Sequence, residues 1–460
     1  MSLYNVIARR LAAVLLMGTA ALPLYPSSQS STANDPLPII FVHGNGDDAS
    51  KWIGVIWLFE SNGYPSDRLF SIRFPLPTAR TDDTREEPFR SSTIDSAAEL
   101  SAFVTRVLLQ THSKQVALVG SSRGGLTIRN YILNGGGAAN VAYAVLAGTP
   151  NHGVLASDTN LNGEFNGKGH FLQSLNSANS DGSEVVSGVR FLTLRSDKLD
   201  KYAQPTGVAF GTPQTTTGVG FDGPALRGAS NIVLPNLDHR ELAFQPTAFA
   251  QMYRFIASNT PHTLTITPEA APTISGVVTG FAGIAPTNLP LTGVHLHIYP
   301  VDSSKTLEHV DPVYEITTKD DGKWGPFQAN AKQEYEFDLE YQGRHVRYYK
   351  APIPRSTNLL NLRFAPVPRD QATLTTSATI QHTSQLLIAR PQGYFSRDRD
   401  PVRIDGKAPI EEPSGLPIRD SFTVSLPETA PTTITLRDET IVATPSDDLT
   451  KDLPIVDFLW

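Results

Sequence analysis

Three residue types in this chain have the order needed to turn a hydroxyl into a nucleophile against a carbonyl carbon: a serine at Ser122, an acid at Asp197 and a histidine at His239. Ser122 lies in Gly120-Ser-Ser-Arg-Gly124, a G-x-S-x-G pattern. Val116-Ala-Leu-Val119 precedes it, and Leu126, Ile128, Tyr131 and Ile132 follow at helical spacing. A buried strand that turns sharply into a helix pushes such a serine out of the chain, and the glycines leave room for the turn. Ser121 lacks that room, because its neighbours at the same distance are Val119 and Arg123. A serine hydroxyl attacks poorly until a histidine takes its proton and a carboxylate orients that histidine.

The elements that must position these groups read as alternating strands and helices. Leu37–Val42, Arg68–Phe74, Val116–Val119, Val141–Ala147, Val189–Leu194 and Ile232–Leu234 are strand-like and mostly apolar throughout. Helical spacing links Trp52, Ile53, Val55, Ile56 and Phe59, then Phe103, Val104, Val107 and Leu108 after Ser96-x-x-Glu99, and finally Phe249, Met252, Tyr253 and Ile256. Continuous apolar strands between helices predict an α/β fold, a mostly parallel sheet covered by helices on both faces. Residues 151–188 break the pattern with Asn, Gly and Ser and read as a lid-like insertion.

Elimination narrows the base and the acid. His239 is the one histidine between Asp197 and the end of the alternating pattern near residue 258; His152 and His170 come too early, and His262 falls later. Among carboxylates between Ser122 and His239, Asp158, Glu164, Asp181 and Glu184 lie in the insertion, Asp222 in a glycine-rich loop, and Asp238 beside the histidine. Asp197 follows a strand within three residues and is the expected acid, with Asp200 as the alternative. The loop after the first strand, His43-Gly-Asn45, and the residue after the serine should supply an oxyanion hole from the backbone N–H groups of Asn45 and Arg123.

At this point the chain resembles the α/β-hydrolase superfamily, and within it the lipase-like esterases. The resemblance rests on Phe41-Val-His-Gly44, Val119-Gly-Ser-Ser-Arg-Gly-Gly125, Gly148-Thr-Pro-Asn-His-Gly153 and Leu237-Asp-His239, and it covers residues 37–258. Two positions depart from it. Ser121 stands where many such lipases carry His, and Leu146-Ala-Gly-Thr-Pro150 holds no carboxylate, where some place the acid.

Beyond Thr260–Pro272 helical spacing gives way to short β-branched and aromatic runs, such as Val294–Tyr299, Glu334–Tyr341 and Ser384–Ala389, with turn signals at Asp321-Gly322 and Gln342-Gly343. An all-β sandwich or barrel is expected there, as one unit or two. Gly293–Asp302, Asp321–Phe327 and Tyr335–Gly343 are similar to microbial lipases whose hydrolase domain carries a β-rich, lipid-binding C-terminal domain. That resemblance implies long-chain acyl esters as substrates and contact with a lipid interface.

Composition bounds the rest. A net charge of −7 argues against nucleic acid as a partner, and the lack of cysteine excludes disulfides, thiolate metal sites and a cysteine nucleophile. Arg9 and Arg10 before Leu11–Leu22, a twelve-residue apolar core too short to span a bilayer, read as a secretory signal. The expected layout is a signal peptide at 1–21, a catalytic domain at 35–258, a linker at 259–272 and an all-β domain at 273–460. The expected activity is that of a secreted or periplasmic serine carboxylic-ester hydrolase with no metal or organic cofactor. A polyester depolymerase and a non-catalytic lipid-binding protein on the same scaffold are the alternatives.

Overall fold

Strands whose every residue is apolar have two faces to hide, and the chain hides both. In the computed structural model, which describes residues 35–207, 215–301, 311–367 and 384–459, six strands form one parallel sheet: β1 (Ile39–Val42), β2 (Leu69–Ser71), β3 (Val116–Ser121), β4 (Val141–Ala147), β5 (Arg190–Ser196) and β6 (Ser230–Leu234). Their order is β2-β1-β3-β4-β5-β6, and β1 and β3 are buried along their whole length. The expected signal segment, 1–21, lies outside the described residues.

Helices cover the two faces: α1 (Ile53–Ser61), α2 (Thr93–Thr111), α3 (Arg123–Asn134), the short α4 (His170–Leu175) and α5 (Glu241–Phe244), and α6 (Pro246–Ala257). Phe41, Val119 and Val145 face α1 and α6, while Ile40, Leu118 and Leu146 face α2 and α3. The second strand is shorter than its sequence run. Helix α2 starts earlier than Ser96, because Ser92 and Asp95 form a reciprocal cap: Ser92 Oγ accepts the Asp95 N–H, and Asp95 accepts the Ser92 N–H at 2.8 Å. Helix α1 is apolar all round for a reason its own sequence does not reveal. Val55, Leu58 and Phe59 pack on the parallel sheet, whereas Ile53 and Trp57 pack into the core of the β-rich half. Each such large side chain contributes about 1.5–3 kcal/mol on burial, so α1 holds the two halves together.

The second half is built from β7 (Thr273–Ala282), β8 (Ala285–Pro290), β9 (His295–Pro300), β10 (Tyr314–Thr317), β11 (Lys323–Gln328), β12 (Tyr335–Tyr341), β13 (Arg344–Lys350), β14 (Leu362–Arg363), β15 (Ser384–Ala389), β16 (Arg403–Ile404), β17 (Ser421–Leu426), β18 (Thr432–Leu436), β19 (Glu439–Ala443) and β20 (Asp452–Asp457). A seven-stranded sheet runs β10-β9-β12-β13-β20-β15-β17. The final strand, β20, lies parallel to both β13 and β15 and so joins the earlier and later parts of this half in one sheet.

Residues 259–272 are tied down along their length. Asn62 Oδ1 accepts the N–H groups of His262 at 2.8 Å and Thr263 at 3.1 Å, and Ser61 Oγ accepts that of Thr267 at 2.9 Å. From Pro36 onward the chain is one compact unit, with no division at the expected linker.

Candidate active site

The serine turn is made by close approach. A Cβ on Gly124 would lie 2.3 Å from the Val42 carbonyl oxygen, and one on Gly120 would lie 2.7 Å from the Gly125 nitrogen, so neither position admits a side chain. Squeezed between them, Ser122 adopts φ 53° and ψ −121°. A non-glycine residue held there costs of the order of 1–3 kcal/mol, which the surrounding sheet must sustain. Its N–H donates to Ala147 O at 2.9 Å, which ties the turn to the end of β4.

The loop after β1 meets this turn from the other side. A Cβ on Gly44 would lie 3.3 Å from Ser122 Cβ. Asn45 turns its side chain away, its Oδ1 accepting the Ala79 N–H at 2.7 Å. The backbone N–H groups of Asn45 and Arg123 donate to no other described residue. Asn45, next to Gly44, and Arg123, next to Ser122, thus bring two backbone N–H groups beside the serine. His43 serves the loop: its buried ring accepts the Phe74 N–H on Nε2 at 3.2 Å and lies 3.0 Å from Gly44 O on Nδ1, and burial lowers its pKa.

The Arg123 side chain points away from the serine and is buried. It pairs with Glu164 at 2.9 Å, and its other nitrogens donate to Pro77 O and to Ser91. Arg129 on the same helix reaches Leu175 O and Asn176 Oδ1, both at 2.9 Å. The 151–188 insertion is therefore anchored onto α3 by two buried arginines, and Leu172 and Leu175 of α4 pack on Leu126.

His239 sits at the loop after β6, buried. Gly148, one residue past β4, abuts its ring: a Cβ there would be 3.3 Å from Nδ1. Ser122 and His239 thus both meet the end of β4. The imidazole Nδ1 lies 2.8 Å from Asp200 Oδ1, and Tyr202 sets the edge of the ring, with centroids 4.6 Å apart. Asp200 Oδ2 is buried with no partner among the described residues.

Asp197, the expected acid, does not occupy that place. Its Oδ1 accepts the N–H groups of Lys198 at 2.8 Å and Asn236 at 3.2 Å, and the Ser196 hydroxyl at 3.2 Å. The correction has a simple cause. Asp197 directly follows β5, where a short carboxylate folds back onto its own loop. Asp200 stands three residues further on, where the chain has turned toward the histidine. Nearness to a strand does not decide between them, and no local signal in the sequence separates the two.

The sequence also missed what surrounds the histidine. Asp238 Oδ1 accepts the N–H groups of Arg240 at 2.9 Å and Glu241 at 3.0 Å, while Glu241 Oε2 accepts that of Asp238 at 2.9 Å. His239 is thus enclosed in a reciprocal cap of two fully buried carboxylates. S/T/D-x-x-E is a recognisable capping pattern, and Asp238-His-Arg-Glu241 fits it.

Comparison with known proteins finds two family matches. Residues 36–187 match the family Lipase (class 2), and residues 272–367 match the Lipase C-terminal domain. The chain is a lipase-like α/β-hydrolase with a C-terminal β domain. Similar solved structures include lipase B of Aspergillus fumigatus, 16% identical with a TM-score of 0.37 over 52% of this chain and 56% of that one. A Bacillus licheniformis lipase in its propeptide form is 14% identical with a TM-score of 0.36, over 91% of this chain and 98% of that one. An esterase from a Rhodococcus species is 14% identical with a TM-score of 0.31, over 48% and 91%. This chain spans little more than half the length of the Aspergillus lipase, 56% of it, and likenesses this distant carry no argument about activity. The lipase-like β domain ends, by the family match, at residue 367, before the strands β15 to β20.

Proposed function

We propose that this lipase-like hydrolase cleaves carboxylic esters of lipids by nucleophilic catalysis at Ser122, with His239 as general base and Asp200, rather than Asp197, as its orienting acid. The observation that carries this reading is Ser122 in its strained turn beside the backbone N–H groups of Asn45 and Arg123, which donate to no other backbone among the described residues. Asp200 holds the Nδ1 proton of His239 and leaves Nε2 to take the proton of the serine hydroxyl as it attacks the ester carbonyl. Charge that develops on the carbonyl oxygen is met by the two N–H groups, which need no rearrangement at that moment. His239 then returns the proton to the departing alcohol, and water releases the acid from the serine by the reverse route.

Supporting a lipid as substrate are the two family matches, both to lipase domains. The N-terminal Arg9-Arg10 and Leu11–Leu22 pattern supports export.

The test is turnover of a triolein emulsion, of hydroxyalkanoate granules and of p-nitrophenyl esters, by wild type, Ser122→Ala and His239→Ala. Triolein hydrolysis that falls about 10⁴-fold or more in either variant, with circular dichroism unchanged, is the expected result. Hydroxyalkanoate turnover without triolein turnover would sink the lipid reading. Activity surviving in Ser122→Ala would sink the serine mechanism.

A further inference from the structure

The turn that carries His239 is held from outside the hydrolase fold. Asp238 Oδ1 and Glu241 Oε2 close the reciprocal cap around it, and both carboxylates also meet the later part of the β half. Asp238 Oδ2 accepts the Tyr394 N–H at 2.8 Å and pairs with Arg399 at 3.0 Å. Glu241 pairs with Arg390 at 2.5 Å, with Arg399 at 2.8 Å and with Arg437 at 2.8 Å. Both carboxylates are fully buried, and so is Arg390. Asp400 adds a third negative charge, 3.0 Å from Arg399 and 2.5 Å from Arg437. Three arginines thus face three carboxylates: Arg390 bridges Asp238 and Glu241, Arg437 bridges Glu241 and Asp400, and Arg399 reaches all three.

Such a cluster is a poor way to gain stability alone, because desolvating the charges offsets much of their attraction. It is a good way to fix geometry, since planar guanidinium forks admit few arrangements. What it fixes here is the turn on either side of His239. The same face also reaches the acid: Lys201, adjacent to Asp200, donates to Ile418 O at 3.0 Å.

We infer that Arg390, Arg399 and Arg437 are positioning residues for His239, so that residues 384–459 form part of the catalytic apparatus rather than a detachable lipid-binding module. The inference rests on the proposed role of His239 as base. The arginines touch no substrate; they act by holding the imidazole where it can reach both Asp200 and the serine. It also replaces the simplest view of the β half, in which chemistry on a small soluble ester needs nothing beyond residue 258.

The experiment uses the full chain and p-nitrophenyl acetate, an ester too small to need a lipid surface. Arg390 is wholly buried and its loss endangers folding, so Arg437→Ala carries the test, its side chain being 30% exposed. Arg355→Ala is the control: it breaks another ion pair between the two halves, Arg355 with Glu60 at 3.0 Å, away from His239. The expected result is a fall in kcat of about ten- to a hundredfold for Arg437→Ala, as for other misplacements of a reacting group of about 1 Å, with KM little changed. Arg437→Lys should recover part of the rate, and Arg355→Ala should keep the wild-type kcat. Equal and unchanged kcat in Arg437→Ala and Arg355→Ala would overturn the inference, as would an Arg437→Ala effect confined to KM on long-chain esters. Ser122→Ala in the same assay separates the two readings: if it stays active, the assignment of the site fails, not the arginine cluster alone.

Discussion

The loop carrying Ser122 and the loop carrying His239 solve the same problem by opposite means. The serine turn is held by the hydrolase sheet itself: two glycines pressed against Val42 and Gly125, and one hydrogen bond to the end of β4. Everything it needs lies within about a hundred residues along the chain, and most of it within five. The histidine turn is held by side chains far away in sequence. Arg390 and Arg437 reach Glu241 across 149 and 196 residues. A nucleophile that must sit in a strained conformation needs rigid backbone on every side. A base that must take up and return a proton needs its ring aimed, and the aim is set by whatever encloses its turn.

That contrast can be broken most strongly at the acid. Asp200→Asn should lower kcat/KM by about 10⁴-fold, because an amide no longer holds the Nδ1 proton in place. Asp197→Asn should leave kcat near wild type and cost about 1 kcal/mol of stability, the worth of the loop hydrogen bonds it accepts. The reverse pattern in steady-state kinetics would return the role to Asp197.

A second change strikes the serine turn alone. Gly124→Ala forces a methyl group into the Val42 carbonyl and should cost about 1–3 kcal/mol by urea denaturation, together with most of the activity. Full stability in this variant would mean the turn relaxes easily and is not the rigid member of the pair.

The smallest effect sharpens the histidine side. Burial, with Glu241 beside it, raises the Asp238 carboxyl to about 6, while the arginines, working against burial, hold Glu241 below its usual range. An unfolded aspartate titrates near 3.9, so between about pH 4 and about pH 6 the folded state binds more protons at Asp238 than the unfolded one. The stabilising contribution of that group therefore falls as pH rises through this window. The margin of wild type over Asp238→Asn in urea melts should shrink from about pH 4 to about pH 6. A margin that widens instead would show that the arginines outweigh burial at Asp238 as well.

Much of the frame was legible because it is written in short-range pattern. Apolar strands alternating with helices predict the parallel sheet, and Gly120–Gly124 marks the turn before any coordinate is known. Ser384–Ala389 reads as a strand with the boundaries it has. The start of α2 is not legible in the sequence, because both Ser92 and Ser96 precede an acidic residue by three, and only the folded structure distinguishes them. Likewise α1 looks like an ordinary core helix, and nothing within it says that Trp57 belongs to a different core, donating to Ser356 O at 2.9 Å.

What the sequence by itself determined, then, is the sheet, the strained serine turn and, by elimination, the histidine placed after the last strand. Each follows from spacing, glycine content or chain order, properties that reach only a few residues or need only counting. The partner of that histidine and the grip on its turn were decided by tertiary structure. Asp197 and Asp200 are chemically the same and three residues apart, and only the path of the loop turns one of them toward the ring. Nothing in the sequence around Arg390, Arg399 and Arg437 marks them as partners of Asp238 and Glu241. They become a clamp on two buried carboxylates because β20 pairs with both β13 and β15, joining the later strands to a sheet already packed on α1 and so carrying the arginines to Asp238 and Glu241.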